Sequence, residues 1–325
     1  MSTISRRDAL RSFGLLGLGA GIAPLASAAD AAPRILPADN HPAPFYQMNV
    51  GDAQVTIVQD AALELPPAAI SGGAAEGAVE ALLAENNLPT DRIPTPVDVL
   101  LIERGDRTIL VDTGIGDYQF GPLESGGGRL VTTLDALGIG AGDIDTVVIS
   151  HFHPDHIGGV SIDGTPVFPN ASYVMPEPEK SFVDNYTMSG DEGMDGTIQF
   201  VRGKLGPLEA SDQLSTFPYG AEVAPGLTAI AAPGHTPGHS AFLLADGDDQ
   251  LMLPMDTANH YIALFQHPEW LFSFDALPEE TVATRRRILG QAADDGLRIW
   301  ATHLPFPGLG YVVREGASFR FVPAP

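Results

Sequence analysis

The segment His-Phe-His-Pro-Asp-His at 151–156 constrains this chain more than any other feature, because it directly follows an apolar run at 146–150. Four of its six residues can ligate a metal, in a chain that contains nine histidines. Alternate residues of an extended segment share a face, so His151 and His153 can project together. Pro154 ends the extended segment and favours a short helix, which directs the last two side chains elsewhere. One loop can therefore offer ligands to two metal ions, whereas the alternative is a helix-capping aspartate beside surface histidines.

Three later segments each place a possible ligand at the end of an apolar strand. His235 lies in a glycine-rich turn, Asp256 closes an apolar run, and His303 follows another. A carboxylate in such a position is costly unless it is paired or coordinated. We expect His235 to be the ligand of its turn, and His239 to be a structural residue bonded to the backbone. Taken alone, Asp256 is a weak signal, and His303 fits a structural role better than a ligand.

Taken together, these segments resemble the metallo-β-lactamase superfamily, which carries H-x-H-x-D-H and then a His, an Asp and a His, each after a strand. The resemblance covers roughly residues 50–320. It implies an α/β fold, an αββα sandwich with a dinuclear metal site at the sheet edge. It implies seven metal ligands, three for each ion and one bridging carboxylate: His151, His153 and His235; Asp155, His156 and His303; and Asp256. Asp256 and Asp155 are also the expected catalytic residues.

The implied ligands are all imidazoles and carboxylates, which suits zinc and also tolerates Mn, Co or Fe. We therefore expect two Zn²⁺ per chain. The flavin-linked di-iron branch has a glutamate where His153 stands, so an oxygen-reducing role is disfavoured. Asp112, in Asp-Thr-Gly after a strand, is expected to support the ligands from behind. Met255 departs from the family, which commonly has glycine before the bridging aspartate.

Sequence outside the ligands is similar to the methyl parathion hydrolase and lactonase branch. The similar segments are 256–260, 265–266, the arginines at 285–287, 302–310 and 319–323. This resemblance implies exported, typically dimeric dizinc enzymes that cleave lactones, aryl esters or organophosphate triesters with a hydroxide shared by two metals. No side-chain nucleophile is then needed, in agreement with the absence of a Gly-x-Ser-x-Gly segment.

Aromatic residues offer a wall for a small, neutral, hydrophobic ester, lactone or phosphotriester. The candidate pocket residues are Phe120, His260, Phe265 and Trp270, with Phe272 and Phe274 beside them. Ordinary core or dimer contacts are the alternative for each of the aromatic residues.

Charge and cysteine content exclude several classes of function. The formal net charge is −24, which opposes binding to nucleic acid and anionic membrane surfaces. The chain has no cysteine, so disulfides, thiol catalysis and Cys-ligated zinc are excluded.

Residues 1–28 resemble a twin-arginine signal peptide, with Arg6 and Arg7, a mildly apolar stretch and Ala-Ser-Ala at 26–28. The apolar stretch is shorter than the roughly 20 residues of a spanning helix, which disfavours the alternative of an uncleaved anchor. We expect a periplasmic or secreted protein with no stable membrane association after cleavage. Residues 29–49 are predicted to be an N-terminal arm, and 50–325 the hydrolase domain.

Strand and helix signals alternate along this domain, which favours a layered α/β fold. Strands are predicted at 55–59, 97–103, 108–111, 146–150, 172–175, 227–232, 240–244, 250–254 and 298–302, and helices at 74–85, 129–137 and 281–293. Two other functions remain open. One is a different superfamily hydrolase, acting on a β-lactam or a thioester, and the other is a non-catalytic periplasmic zinc-binding protein.

Overall fold

A computed structural model describes residues 34–35, 44–118 and 128–324. The predicted signal segment 1–28 and the candidate pocket residue Phe120 lie outside the described residues. Within them, two β-sheets face each other and helices cover both outer faces. The αββα sandwich expected from the sequence is therefore confirmed.

The first sheet has the strand order β1-β3-β5-β6-β7-β10-β11, and β2 pairs with β3. Its strands are β1 (Arg34–Ile35), β2 (Phe45–Val50), β3 (Ala53–Leu65), β5 (Ile93–Arg104), β6 (Arg107–Val111), β7 (Thr146–Val148), β10 (Ser172–Pro176) and β11 (Leu214–Phe217). Strands β6, β7, β10 and β11 run parallel. Strand β2 covers the last five residues of the segment 29–49, which the sequence predicted to be an arm, and ends at Val50.

The second sheet has the order β12-β13-β14-β15-β17-β18-β19, in which β15 and β17 run parallel. Its strands are β12 (Glu222–Ala224), β13 (Leu227–Ala231), β14 (Ser240–Asp246), β15 (Asp249–Leu253), β17 (Arg298–Trp300), β18 (Leu309–Glu315) and β19 (Ser318–Pro323). Two short ribbons pair β4 (Ile70–Gly72) with β16 (Leu271–Phe272), and β8 (Ser161–Ile162) with β9 (Thr165–Pro166).

The described helices are α1 (Ala78–Glu85), α2 (Leu130–Ala136), α3 (Pro154–Ile157), α4 (Glu177–Asn185), α5 (Glu192–Ala210), α6 (Ala263–Gln266) and α7 (Pro278–Asp294). Among them, none has both the length and the apolar character that crossing a membrane requires. Sequence reasoning missed α4 and α5. In α5 the glycines and Pro207 weaken the helical signal, but Asp191 caps its start by accepting the N–H of Gly193 at 3.0 Å.

Alternation along the strands sorts side chains into three apolar layers. In β5, Leu100 and Ile102 pack between the sheets, whereas Val99 and Leu101 pack outward against helices. In the second sheet, Leu251 likewise packs between the two sheets. Sheets that are covered on both faces read as near-continuous apolar runs, which explains why these strands were visible in the sequence.

Strand ends place the ligand-bearing segments at one edge of the sandwich. Strand β7 ends at Val148, just before the 151–156 segment, and β6 ends at Val111, just before Asp112. In the second sheet, parallel β15 and β17 both end shortly before their ligands. The carboxyl ends of parallel strands meet at one edge, where open α/β sheets hold their ligands.

Met255, the departure from the family pattern, has a left-handed backbone with φ of +50°. Its side chain is buried between the two sheets. A left-handed conformation costs a non-glycine residue about 1–2 kcal/mol, while a buried methionine contributes about 2–5 kcal/mol relative to alanine. Burial therefore outweighs strain at this position.

We expect Met255→Gly to lower the free energy of unfolding by about 1–3 kcal/mol, because the lost packing exceeds the relieved strain. Urea denaturation in excess zinc measures this change. Asn87→Gly is the matched control, since Asn87 has a similar φ of +57° but an exposed side chain. A Met255→Gly variant as stable as the wild type would contradict this account.

Candidate metal centre

Three imidazoles converge at the first ligand group. His151 Nε2 lies 3.0 Å from His153 Nδ1, which lies 2.9 Å from His235 Nε2. All three side chains are buried. His151 and His153 come from the segment after β7 in the first sheet, and His235 comes from the turn after β13 in the second. The group is complete only where the two sheets meet.

A second group contains Asp155, His156 and His303. Asp155 Oδ2 lies 3.4 Å from His303 Nε2 and 3.8 Å from His156 Nε2. Asp155 and His156 lie on the short helix α3, which begins at Pro154 as the sequence predicted. The side chain of Asp155 is 13% exposed, the most open of this group.

Asp256 lies between the two groups. Its Oδ2 is 3.2 Å from His235 Nε2 and 3.1 Å from His303 Nε2, and its Oδ1 is 3.3 Å from His156 Nε2. Asn259 donates to the same Oδ2 at 2.6 Å. The structure therefore brings the seven predicted ligands together, with the predicted bridging carboxylate at the centre. Their binding of metal stays a prediction.

The donor set matches what divalent metal ions require. Ligands held about 2.0–2.2 Å from a zinc ion lie roughly 3–3.5 Å from one another, and the neighbouring atoms described above lie 2.9–3.8 Å apart. Among the described residues, buried His156 Nε2 and Asp256 Oδ1 make no hydrogen bond of acceptable geometry. Leaving such buried polar atoms unpaired is costly, and coordination would satisfy both of them.

The outer nitrogens of four ligands are fixed by hydrogen bonds. His156 Nδ1 donates to Asp112 Oδ2 at 2.7 Å, and His303 Nδ1 donates to the carbonyl of Pro96 at 2.7 Å. His151 Nδ1 donates to Ser150 Oγ at 2.9 Å, and His235 Nδ1 donates to Asp275 Oδ1 at 2.9 Å. Each bond selects the tautomer whose Nε2 lone pair points inward. Asp112 thus supports the ligands from behind, as the sequence predicted.

Arg285 anchors the partner of His235. This fully buried guanidinium contacts Asp275 Oδ2 at 3.3 Å and donates to the carbonyls of Thr257, Pro268 and Trp270 at 2.6–3.1 Å. It ties helix α7 to the backbone next to Asp256. The sequence singled out this arginine only as part of a family segment, because nothing local indicates its burial.

Burial and neighbouring charges set the protonation of the site. Burial lowers the pKa of His151 and His153 well below the usual value. Burial would also lower the pKa of His156 and His235, but neighbouring carboxylates, above all Asp256, outweigh it. The pKa of His156 is raised well above its usual value, and that of His235 rises to about 9. The pKa of Asp256 falls well below its usual value, since charged imidazoles outweigh burial. Metal uptake therefore has to displace protons.

His239 uses both ring nitrogens on the backbone. Its Nδ1 donates to the carbonyl of Ala232 at 2.9 Å, and its Nε2 accepts the N–H of Asp256 at 3.1 Å. Burial, with His235 nearby, lowers the pKa of His239 to about 3, so the ring stays neutral. It is a structural residue, as the sequence predicted.

The aromatic pocket candidates divide into two sets. Phe265 is buried 5.8 Å from the ring of Phe321 in the core outside the second sheet, and Trp270 stacks on His267. Both side chains therefore make core contacts, which was the alternative to a place in the substrate pocket. Phe272 and Phe274, by contrast, face the ligands, since the Phe274 ring lies 6.2 Å from His153 and the Phe272 ring 6.5 Å from His235.

His260 has a structural contact at the start of α6. Its Nδ1 accepts the N–H of Ile262 at 3.2 Å and that of Ala263 at 3.0 Å. Burial lowers its pKa to about 4. A contact between His260 and substrate stays a prediction.

A cavity of about 440 Å³ lies beside Tyr118, Phe200 and Lys204. The Tyr118 and Phe200 rings pack edge to face at 4.6 Å. The Lys204 ammonium pairs with Asp117, so the cavity carries no uncompensated lysine charge there. Burial raises the pKa of Tyr118, and the charge of Asp155 raises it further.

A family model for the metallo-beta-lactamase superfamily matches residues 92–303. This match covers more than half of the chain, and the chain belongs to the metallo-beta-lactamase superfamily. The matched range contains all seven converging ligands. The superfamily predicted from the sequence is therefore confirmed.

Two relatives are named N-acyl homoserine lactonase AttM. The protein from Azorhizobium caulinodans is 27% identical over 179 residues, which is 54% of this chain and 64% of the relative. The protein from Agrobacterium fabrum is 31% identical over 154 residues, which is 45% of this chain and 52% of the relative. The chain thus spans less than two thirds of the length of either relative.

Solved structures match over more of the chain. AidC, described as a dizinc quorum-quenching lactonase in complex with a product, is 28% identical with a TM-score of 0.80. AbOPH, described as a hydrolase in the beta lactamase superfamily, is 27% identical with a TM-score of 0.79. Each covers 87% of this chain and 98% of its own. These similarities confirm the predicted resemblance to a lactonase branch and to metal-dependent hydrolases.

We expect Asp256→Ala to lose at least one metal ion per chain and most activity, because one carboxylate contacts both ligand groups. Metal content after dialysis, measured by mass spectrometry, checks this, with exposed Asp248→Ala as the control. Normal metal content together with normal turnover would rule out a bridging role.

We expect His239→Ala to retain two metal ions, since neither of its ring nitrogens faces the ligand groups. His235→Ala should instead lose the ion of its group. Zinc content of the two variants, dialysed side by side, provides the comparison. Equal metal loss in both would mean that His239 is a ligand.

Proposed function

We propose that this chain is a dizinc lactonase whose substrates are N-acyl homoserine lactones or closely similar neutral lactones. The observation that carries the proposal is the meeting of two three-residue ligand groups at one buried carboxylate, Asp256. These two groups would hold two divalent ions, which would supply water activated at neutral pH and a positive charge to polarise a carbonyl oxygen. Hydrolysis of an ester bond is the chemistry that such a centre supports.

The chain's own residues orient this chemistry. Asp256 is held on three sides, by His235, by His303 and by the amide of Asn259. Its backbone N–H is held by His239. A carboxylate fixed in this way keeps Oδ2 between the two ligand groups and Oδ1 beside His156, and such preorganisation lowers the reorganisation needed during reaction.

The substrate side is apolar next to the ligands. Phe272 and Phe274 flank His235 and His153. A neutral ring with an acyl chain matches such a surface better than an anionic substrate does, given the net charge of −24.

The similarity to AidC and to the AttM proteins supports a lactone as the substrate class. Aryl esters and organophosphate triesters are the second candidate substrates, since an activated water can attack a carbonyl carbon or a phosphorus atom. The partly exposed Asp155 argues against a closed, non-catalytic zinc site, because structural zinc sites fill every coordination position with protein ligands.

Export by a twin-arginine signal to the periplasm or exterior, and assembly as a homodimer, complete the proposal. Both rest on the sequence: the paired arginines with the apolar stretch for export, and the branch resemblance for the dimer.

We expect the zinc-loaded chain to hydrolyse an N-acyl homoserine lactone with a kcat/KM at least about 10-fold above that for a dimethyl aryl phosphotriester. The neutral lactone ring and its acyl chain match the apolar surface of Phe272 and Phe274 beside the ligands, whereas a tetrahedral phosphotriester is bulkier. Steady-state kinetics at neutral pH, with Asp256→Ala as the blank, measures the ratio.

A preference for the phosphotriester would reassign the substrate class while keeping the dizinc hydrolase. If neither substrate exceeds the blank, the lactonase proposal fails. A β-lactam and a thioester would then be assayed next, since the same centre could serve them.

A further inference from the structure

Glu179 contacts both loops that supply the first ligand group. This carboxylate is fully buried, and it lies in the first turn of α4, which directly follows strand β10 of the first sheet. Its Oε1 accepts the N–H of Phe152 at 2.9 Å, between ligands His151 and His153. Its Oε2 accepts the N–H of Gly238 at 2.6 Å, in the turn that carries His235.

The packing around Glu179 leaves little room for either loop to move. A Cβ on Gly238 would lie 2.1 Å from the backbone nitrogen of Glu179, so only glycine allows this approach of α4. On the other loop, the Phe152 ring stacks on Phe182 of the same helix at 5.7 Å. Helix α4 thus packs against both loops, and the Glu179 carboxylate accepts a hydrogen bond from each of them.

We propose that Glu179 is a positioning residue that fixes the distance between the 151–156 loop of one sheet and the 232–239 turn of the other. It thereby sets the separation of His151, His153 and His235. The inference rests on the proposed metal function. It assigns Glu179 to one ligand group specifically, because the other group, Asp155, His156 and His303, contains no residue of the 232–239 turn.

Glutamine at this position has the same shape but only one acceptor atom. Its NH₂ group would face the N–H of either Phe152 or Gly238, so one of the two loops loses its bond. Aspartate keeps the charge but is one methylene shorter, so it cannot reach both donors. The two substitutions therefore separate the effect of the negative charge, which aspartate keeps, from the effect of bonding to both loops, which neither substitution keeps.

The experiment measures zinc affinity by competition with a chromophoric chelator, at pH 8. Burial raises the pKa of Glu179 to about 7, so this pH keeps the carboxylate ionised. His303→Ala isolates the first ligand group, and His235→Ala isolates the second. E179Q and E179D are introduced into each background, with E177Q as the control, because Glu177 lies exposed in the same helical turn.

We expect E179Q and E179D to weaken zinc binding about 10–100-fold in the His303→Ala background, and to leave it unchanged in the His235→Ala background. E177Q should change neither. Cobalt(II) absorption should shift with E179Q only where the first group is intact.

Unchanged affinity of E179Q in the His303→Ala background would overturn the inference. So would weakening by E179Q without weakening by E179D, because charge alone would then explain the effect. A wild-type chain that binds no zinc would overturn the metal function and this inference together. Metal binding without lactone hydrolysis would contradict only the proposed substrate class.

Discussion

The buried carboxylate of Asp256 is the constraint on which the rest of the site depends. An ionised carboxylate at 2% exposure is unfavourable unless partners or metals compensate it. Three histidines from both sheets supply that compensation within about 3.3 Å. The folded sandwich can bury this charge only if the three histidines lie at the same edge as Asp256.

That requirement explains the polar structure behind the ligands. Asp112 holds His156, and Asp275 holds His235 with Arg285 behind it. Each of these groups is itself buried and would be costly alone. Together they form connected hydrogen bonds in which nearly every donor has an acceptor, and they fix the ring orientations that metal binding needs.

The two sheets contribute unequally to this arrangement. The first sheet supplies four ligands from one continuous segment, so their relative positions follow from local geometry. The second sheet supplies His235, Asp256 and His303 from three separate strand ends. Their placement depends on how the sheets pack, and Glu179 and the apolar layer between the sheets hold that packing.

Much of the fold was predictable because apolar strands between two layers leave long apolar runs. Strands β6, β13 and β15 lie within one residue of their predicted bounds, whereas β5 begins four residues earlier than predicted. Helix α5 was not predicted, since its glycines hide a helix that tertiary packing stabilises. Phe265 and Trp270 were candidate pocket residues but are buried in the core, because the sequence does not distinguish a core aromatic residue from one in a pocket.

The sequence by itself determined the superfamily, the layered fold and the identity of the converging residues, because ligand type and spacing after a strand are local properties. The sequence also predicted Asp112 behind them, but only the tertiary structure decided the other supporting groups. Asp275, Arg285 and Glu179 lie 40, 50 and 56 residues from His235, and no local pattern marks them. Their roles arise from burial, since a buried charge must find its partner wherever the folded chain brings one.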